Sequence, residues 1–324
     1  MSNSGYFCVK LLKKLSIILF FLFFAWFLSI RSVFLFSDSV RAPSYLPNIG
    51  VPFLDEDSKK KCSGISVFVI NLDKDIHRYH DILPLVQTLG FPFSRVSGVI
   101  GKTLSKSFVE KFVDKHGYKL AFNGATPGAG ELGCFLSHVK VWALFLNSNS
   151  EFALILEDDA TFDPVNLESV LKELIKFRHQ WDICSLFLPP RFSGSFFCIK
   201  KFSFSQSIVR FLTETSGTVG MLVNRNAARA LLSKAQRYVL PVDHYVQRTW
   251  EFGNSLQFAG LVPGLVTEKE GDSAIELQGR RERAKKTFCF NQLQRIRSQI
   301  FHLKSSIVYY MYNVYLTLMG KFRS

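Results

Sequence analysis

Paired cysteine spacing is missing from this sequence. Six cysteines (Cys8, Cys62, Cys134, Cys184, Cys198 and Cys289) are scattered over 324 residues without a Cys-x-x-Cys pair. That excludes the usual zinc-site spacings and gives no disulfide framework, so free thiols are expected. Charge is also scarce: 20% of residues are charged against 48% apolar, with 33 Phe. Such a chain is too apolar for disorder and leans toward contact with lipid. No internal repeat is present, and none of the twelve asparagines stands in an Asn-x-Ser/Thr sequon. Acid is almost absent from the C-terminal stretch, where ten Lys or Arg from Arg280 onward face Glu282 alone. That stretch therefore carries +9 of the chain's formal +14.

A basic tail points to nucleic acid or to an anionic membrane surface. Here the cations are interleaved with Leu293, Ile296, Ile300, Leu303, Ile307, Met311, Val314 and Leu318. This three-four spacing draws one apolar stripe along a helix and favours the membrane surface over nucleic acid. The alternative is a terminal helix packed on its own domain with a solvated cationic face. At the other end, Lys10, Lys13 and Lys14 precede an apolar run from Leu15 to Ile30, continued past Arg31 to Phe36. Residues 15–36 suffice for a span of about 20 residues if Arg31 snorkels, and no small-x-small cleavage site follows, so an uncleaved anchor is expected. The polar stretch to Gly64, ending in Lys59, Lys60 and Lys61, reads as a linker. The organisation is therefore a hydrophobic anchor (1–36), a linker (37–64), one α/β domain (65–279) and a basic amphipathic tail (280–324).

Within the domain, Ile65–Leu72 reads as a β-branched strand. A helix with Tyr79, Ile82, Leu83, Val86 and Leu89 on one face follows, with Gly90 just past its end. A short strand is expected at Phe93–Val96 and a helix at about Gly133–Asn147. Phe152–Leu156 is an unbroken apolar run suited to a strand covered on both faces. Asp163 caps a helix that has Pro164 at its first position. Further strands are expected at Trp181–Leu188 and Gly217–Val223, with helices at Arg225–Ala235 and after Asp243.

Three carboxylates, Glu157, Asp158 and Asp159, directly follow the buried strand. Acids so placed reach the carboxyl edge of the sheet, where open α/β sheets bind ligands. A metal is a natural reason to gather them: alternate residues of an extended segment point the same way, so Glu157 and Asp159 can face one Mg²⁺ or Mn²⁺ ion bridging a diphosphate. Such triplets also occur as solvated strand ends or helix caps.

Several segments together resemble glycosyltransferase family 25, which includes bacterial lipooligosaccharide galactosyltransferases. They are Val69-Ile70-Asn71-Leu72-Asp73 with Arg78 downstream, Gly130-Glu131-Leu132-Gly133-Cys134-Phe135-Leu136-Ser137-His138, and Ala153-Leu154-Ile155-Leu156-Glu157-Asp158-Asp159. Gly217-Thr218-Val219-Gly220 and Pro241-Val242-Asp243 match more loosely, and residues 125–129 depart from the family's usual loop. The resemblance covers about Ile65 to Glu276. It implies a GT-A-like fold and a UDP-sugar donor, with galactose as the sugar, a DxD-like acidic motif and a metal-dependent, inverting transfer. By this carry-over, Asn71, Leu72 and Arg78 border the nucleotide, Asp158 and Glu131 belong to the donor site, and Ser137 and His138 contact donor or acceptor, His138 as a candidate catalytic residue. The plainer alternatives are an exposed helix arginine at 78, a helix cap at Glu131, and hydrogen bonding within a partly buried helix for Ser137 and His138. Asp243 is the candidate general base for the acceptor hydroxyl, or the N-cap of the helix it precedes.

Three functions stay open at this point. The first is transfer onto a lipid-linked lipopolysaccharide or lipooligosaccharide glycan. The second is galactosylation of collagen-type hydroxylysine in the secretory pathway, and the third is a non-catalytic, membrane-tethered binding or adhesion protein. The N-terminal lysines favour an N-inside orientation that places the domain outside the cytoplasm. A cytoplasmic donor and the basic tail favour the cytoplasmic face of a bacterial inner membrane, which is the expected location.

Overall fold

A computed structural model of the chain describes residues 35–36, 42–51, 64–202, 205–252, 256–269 and 292–323. The expected anchor, except for Leu35 and Phe36, lies outside these residues.

The β-branched run from residue 65 forms β1 (Ile65–Asn71), and the amphipathic segment after it forms α1 (Ile76–Thr88), ended by Leu89 and the left-handed Gly90. Next come β2 (Phe93–Ser97), α2 (Lys106–Phe112), α3 (Lys115–Ala121) and α4 (Ala129–Asn147). The apolar run forms β3 (Phe152–Glu157), followed by β4 (Ala160–Thr161) and α5 (Pro164–Lys176). Asp163 Oδ1 accepts from the amides of Val165 and Asn166, which caps α5 as expected. Then come β5 (Ile183–Ser185), β6 (Phe196–Lys201), β7 (Ser207–Phe211), β8 (Gly220–Asn224), α6 (Arg225–Lys234) and α7 (Val242–Gln247). The described chain ends with β9 (Phe258–Val262), β10 (Thr267–Glu268) and α8 (Gln292–Arg323).

Eight strands make one mixed sheet in the order β2-β1-β3-β8-β5-β9-β7-β6, and β4 pairs with β10 beside it. β1 runs parallel to β2 and β3, whereas β8 is antiparallel to both β3 and β5. The alternation of β3 explains its unbroken apolar sequence. Ala153 and Ile155 enter the core on one face, with α4, α6 and α7, while Phe152, Leu154 and Leu156 enter the core on the other, with α1 and α5. Each fully buried Ile, Leu or Phe side chain here stabilises by about 1.5–3 kcal/mol. α4 is the one described helix long and apolar enough to cross a membrane; it is the buried core helix.

Three expectations are corrected. α4 starts one turn before Gly133, because the Glu131 carboxylate accepts from the Gly128 N-cap amide and helix geometry is satisfied from Ala129. The stretch expected as a linker is not free throughout. Residues 42–51 lie against α2 and α4, and Tyr45, Leu46, Ile49 and Val51 are buried in the core there. Finally, the strand expected over 181–188 is reduced to three residues, since Leu186 and Phe187 turn to meet the 264–266 segment.

The apolar stripe expected along the tail is exposed for most of its length, and a different face of the helix packs on the domain. α8 buries Phe301, Val308, Tyr309, Tyr312 and Leu316 on the domain, while Ile296, Ile300, Leu303, Ile307 and Leu318 are exposed. Among the members of the predicted stripe whose burial is described, Met311 alone is buried. The tyrosines made the packed face look more polar in sequence than it is in the fold. Among the described residues Cys134, Cys184 and Cys198 are free thiols.

Candidate active site

The carboxyl ends of β1 and β3, the first turns of α4 and the loop before β8 surround one cleft of about 960 Å³. All ten candidate residues line it: Asn71, Leu72, Arg78, Glu131, Ser137, His138, Glu157, Asp158, Asp159 and Asp243. They come from five separated segments, and the sheet topology brings them together.

On one wall a polar chain runs through the acids. Arg95 Nε donates to Asn71 Oδ1 at 2.9 Å, and Asn71 Nδ2 donates to Asp158 Oδ2 at 2.7 Å. Arg78 Nη2 then lies 2.6 Å from Asp158 Oδ1 and 2.7 Å from Asp159 Oδ2. Arg78 is thus no free helix arginine; it clamps two adjacent carboxylates. The expected pairing of Glu157 with Asp159 changes accordingly. β3 ends at Glu157, and Asp158 and Asp159 form the turn into β4, so the alternation of an extended chain does not carry through. Glu157 instead accepts from Thr218 Oγ1 at 2.6 Å and lies 3.6 Å from His138 Nε2.

Burial pushes Asp159 up to about 7, and the negative charge of Glu157 adds to the shift against the opposing pull of Arg78. Burial raises Asp158 as well. At Glu157 burial works the same way but is overcome by His138 and Thr218, which hold its carboxyl below the ordinary value. Asp159 Oδ1 is buried without a hydrogen-bond partner. An orphaned carboxylate oxygen beside Glu157 and Asp158, in a cleft that also receives Glu268, suits a hard divalent cation that takes oxygen ligands. A second grouping lies deeper: Cys134, His138 and Glu157 offer ligand atoms all within 4.8 Å of one another.

Two candidates are occupied within the fold. Ser137 Oγ donates to the Gly133 carbonyl at 2.7 Å and accepts from the Val99 amide at 2.8 Å, so it pins the loop after β2 to α4. Glu131 Oε2 accepts from the Gly128 amide at 3.0 Å and from the Tyr118 hydroxyl at 2.8 Å, which is the capping role. Gly133 and Gly101 allow this loop to touch the helix backbone to backbone: a Cβ on Gly133 would stand 2.4 Å from the Val99 carbonyl oxygen. His138 is fully buried, and neither ring nitrogen makes a hydrogen bond.

Across the cleft, Asp243 sits in the first turn of α7 rather than at its N-cap, which is Pro241. Its Oδ1 accepts from the next amide, His244 N, at 3.0 Å, and its Oδ2 accepts from the Gly217 amide at 3.3 Å. Gly217 has φ +85° and lies against the Phe187 ring, a conformation that favours glycine.

Sequence reasoning missed Arg95, which sets the Asn71 amide, and Thr218, which holds Glu157. Thr218 stood in a matched segment; Arg95 left no local signal, because only the parallel register of β2 on β1 brings it there. Lys102 and Lys269 also line the cleft.

The family model described as glycosyltransferase family 25 (LPS biosynthesis protein) matches residues 65–246. Procollagen galactosyltransferase 1-B of Xenopus laevis is 34% identical over 131 residues, 39% of this chain and 21% of that protein. Procollagen galactosyltransferase 1 of Danio rerio is 25% identical over 216 residues, 64% of this chain and 35% of the relative. A Rattus norvegicus protein described as probable inactive glycosyltransferase 25 family member 3 is 30% identical over 125 residues, 37% of this chain and 22% of its own. The chain spans about a fifth to a third of the length of these relatives.

Proposed function

Because this chain belongs to glycosyltransferase family 25, we propose that it transfers a hexose, galactose by the family resemblance, from a UDP-sugar to a hydroxyl of a lipopolysaccharide or lipooligosaccharide glycan. One observation carries the reading: the acidic turn with its orphaned Asp159 oxygen and the tethered Asp243 carboxylate line the same cleft. Its volume of about 960 Å³ is at the upper end of small-molecule sites and suits a nucleotide sugar with part of an acceptor.

In this reading Asn71, Leu72 and Arg78 border the nucleotide at the end of β1. Asp159, with Asp158 and Glu157 beside it, holds Mn²⁺ or Mg²⁺, which when bound offsets the charge of the departing nucleoside diphosphate. Asp243 takes the proton of the acceptor hydroxyl as that oxygen attacks the anomeric carbon. Its two backbone amide contacts hold the carboxylate in place while leaving lone pairs for the hydroxyl. The displacement occurs in one step and inverts the anomeric configuration. His138 acts beneath Glu157 as a positioning residue, since its ring is closed off from solvent.

The relatives named procollagen galactosyltransferases favour a second reading, in which the acceptor is a collagen-type hydroxylysine. The relative described as probable inactive keeps a non-catalytic binding role in play. One experiment separates all three: UDP release and transfer by the purified protein over a panel of UDP-sugars, with and without Mn²⁺, beside the double substitution Glu157→Ala, Asp159→Ala. Acceptors are a lipid-linked glycan and a hydroxylysine-containing collagen peptide. Mn²⁺-dependent transfer to the glycan, abolished by the substitution, supports the first reading, and transfer to the peptide alone supports the second. No turnover and no binding of any UDP-sugar would leave the non-catalytic role.

A further inference from the structure

α8 has two apolar faces, and the domain covers only one. Phe301, Ser305, Val308, Tyr309, Tyr312 and Leu316 are buried against it, and Ser298 Oγ donates to the Leu120 carbonyl at 2.6 Å. The opposite face carries Ile296, Ile300, Leu303, Ile307, Tyr310 and Leu318, all exposed, with Leu303 at 62%. At 1.5 Å per residue this stripe runs about 33 Å along the helix. A continuous apolar strip of that length on a water-facing surface marks an interaction site.

Charge indicates the partner. At 100° per residue Arg297 and Lys304 fall along one border of the stripe and Arg295 falls beyond the other; residues 292–323 contain no acidic side chain. A second copy of the helix laid against this face would bring cation against cation along the seam, which is unfavourable. An anionic lipid surface would accept the apolar residues and neutralise the flanks.

A separate observation links α8 to the end of the N-terminal apolar run, which the sequence leads one to expect in lipid. The longest apolar run of the sequence ends at residue 36, and its last two amides, Leu35 and Phe36, both donate to Glu251 Oε2, at 2.8 and 3.0 Å. The other oxygen of Glu251 is paired with Arg248, whose guanidinium reaches Ser305 Oγ on α8 and lies over the Phe301 ring. Leu35 and Phe36, with which that run ends, are therefore joined to the middle of α8 through two side chains, Glu251 and Arg248. We propose that the outer face of α8 lies in the interface of an anionic bilayer, with Ile296, Ile300, Leu303 and Ile307 among the acyl chains and the flanking cations at the lipid phosphates. The anchor expected from the sequence over residues 15–36 would be a second, separate attachment. This holds whichever sugar is moved.

The test uses the full chain in vesicles that carry a diazirine-bearing phospholipid, with label mapped by peptide mass spectrometry after irradiation. In phosphatidylglycerol vesicles, label is expected on peptides covering residues 296–310 as well as on those covering 15–34. In pure phosphatidylcholine, label on 296–310 falls by at least about tenfold while label on 15–34 stays. Leu303→Glu with Ile307→Glu, both at exposed positions, has the same effect without a change in thermal unfolding. Label confined to 15–34 in phosphatidylglycerol would overturn the proposal. So would cross-links joining the stripe to a second copy, or to residues 15–34 of its own chain, in place of lipid.

Discussion

The Thr218 hydroxyl donates a 2.6 Å hydrogen bond to Glu157 Oε1 across 61 positions of sequence. It joins the approach to β8 with the end of β3, where the Glu157 amide also donates to the Val219 carbonyl. This bond is one of the forces that keep the Glu157 carboxyl low in spite of burial. Thr218→Val removes it without changing the side-chain shape. The acid limb of the pH–kcat/KM profile is then expected to move to higher pH, with about tenfold loss at neutral pH. An unmoved acid limb would show that Glu157 is held by other groups.

Asp159 gives a pH dependence of the opposite kind. Its folded-state carboxyl titrates at about 7, raised first by burial and then by Glu157, against about 3.9 in an unfolded chain. The native state thus disfavours the ionised form: full stability is present below pH about 4 and is progressively lost as pH rises through 7. Asp159→Asn is therefore expected to be more stable than the parent above pH 7, by about 2–4 kcal/mol, with the difference vanishing near pH 4. Urea unfolding at several pH values measures it.

On the proposed metal site, the same group is expected to govern Mn²⁺ binding. Mn²⁺ should raise the melting temperature of the parent at pH 8 and much less at pH 5, where Asp159 is protonated. Asp159→Asn should abolish most of the shift at both pH values. A Mn²⁺ effect equal in the variant would place the ion elsewhere, with Cys134, His138 and Glu157 as the next candidate ligands.

Gly133→Ala tests the contact between α4 and the loop after β2. In an isolated helix the change would stabilise by about 1 kcal/mol. Here the new methyl meets the Val99 oxygen at 2.4 Å and the Gly101 nitrogen at 2.9 Å, and backbone atoms cannot step aside as side chains do. Net destabilisation of about 1–3 kcal/mol is expected, together with a raised KM for donor, because Val99, Ile100 and Gly101 line the cleft. Denaturant titration and steady-state kinetics check both.

Arg248→Met should cost about 3–5 kcal/mol, since it leaves Glu251 buried and unpaired. Arg248 and Glu251 are both nearly inaccessible, and Glu251 also receives the Leu35 and Phe36 amides. The double change Arg248→Met with Glu251→Leu should recover part of the loss, and a thermal melt of the three variants reads the coupling.

The strand and helix pattern from residue 65 was legible because its periodicities are strong. β1, α1, β3 and α5 carry their signals in runs of apolar residues with Asp163, Pro164 and Gly90 at the ends. The cleft residues were legible because acids at the end of a buried strand have few other destinations. Less was readable where a partner far along the chain decides the outcome. Asp243 carries a cap-like sequence, yet its side chain turns to Gly217. Residues 42–51 look like linker until α2 offers Phe108 and Phe112 beside Tyr45. On α8 the tyrosines hide the packed face, since a phenol counts as polar in a pattern and as a large apolar body in a core.

Tyr45 illustrates what such a hidden contact does to the boundaries of the folding unit. Its hydroxyl reaches the Ala235 carbonyl just past α6, and its ring packs edge-on against Phe112. The matched family segment begins at residue 65, some twenty residues too late to include this strap. A shortened protein begun there would bare the apolar bed that Leu46, Ile49 and Val51 now fill and would be prone to aggregate. The smallest version that folds well has to start ahead of residue 42.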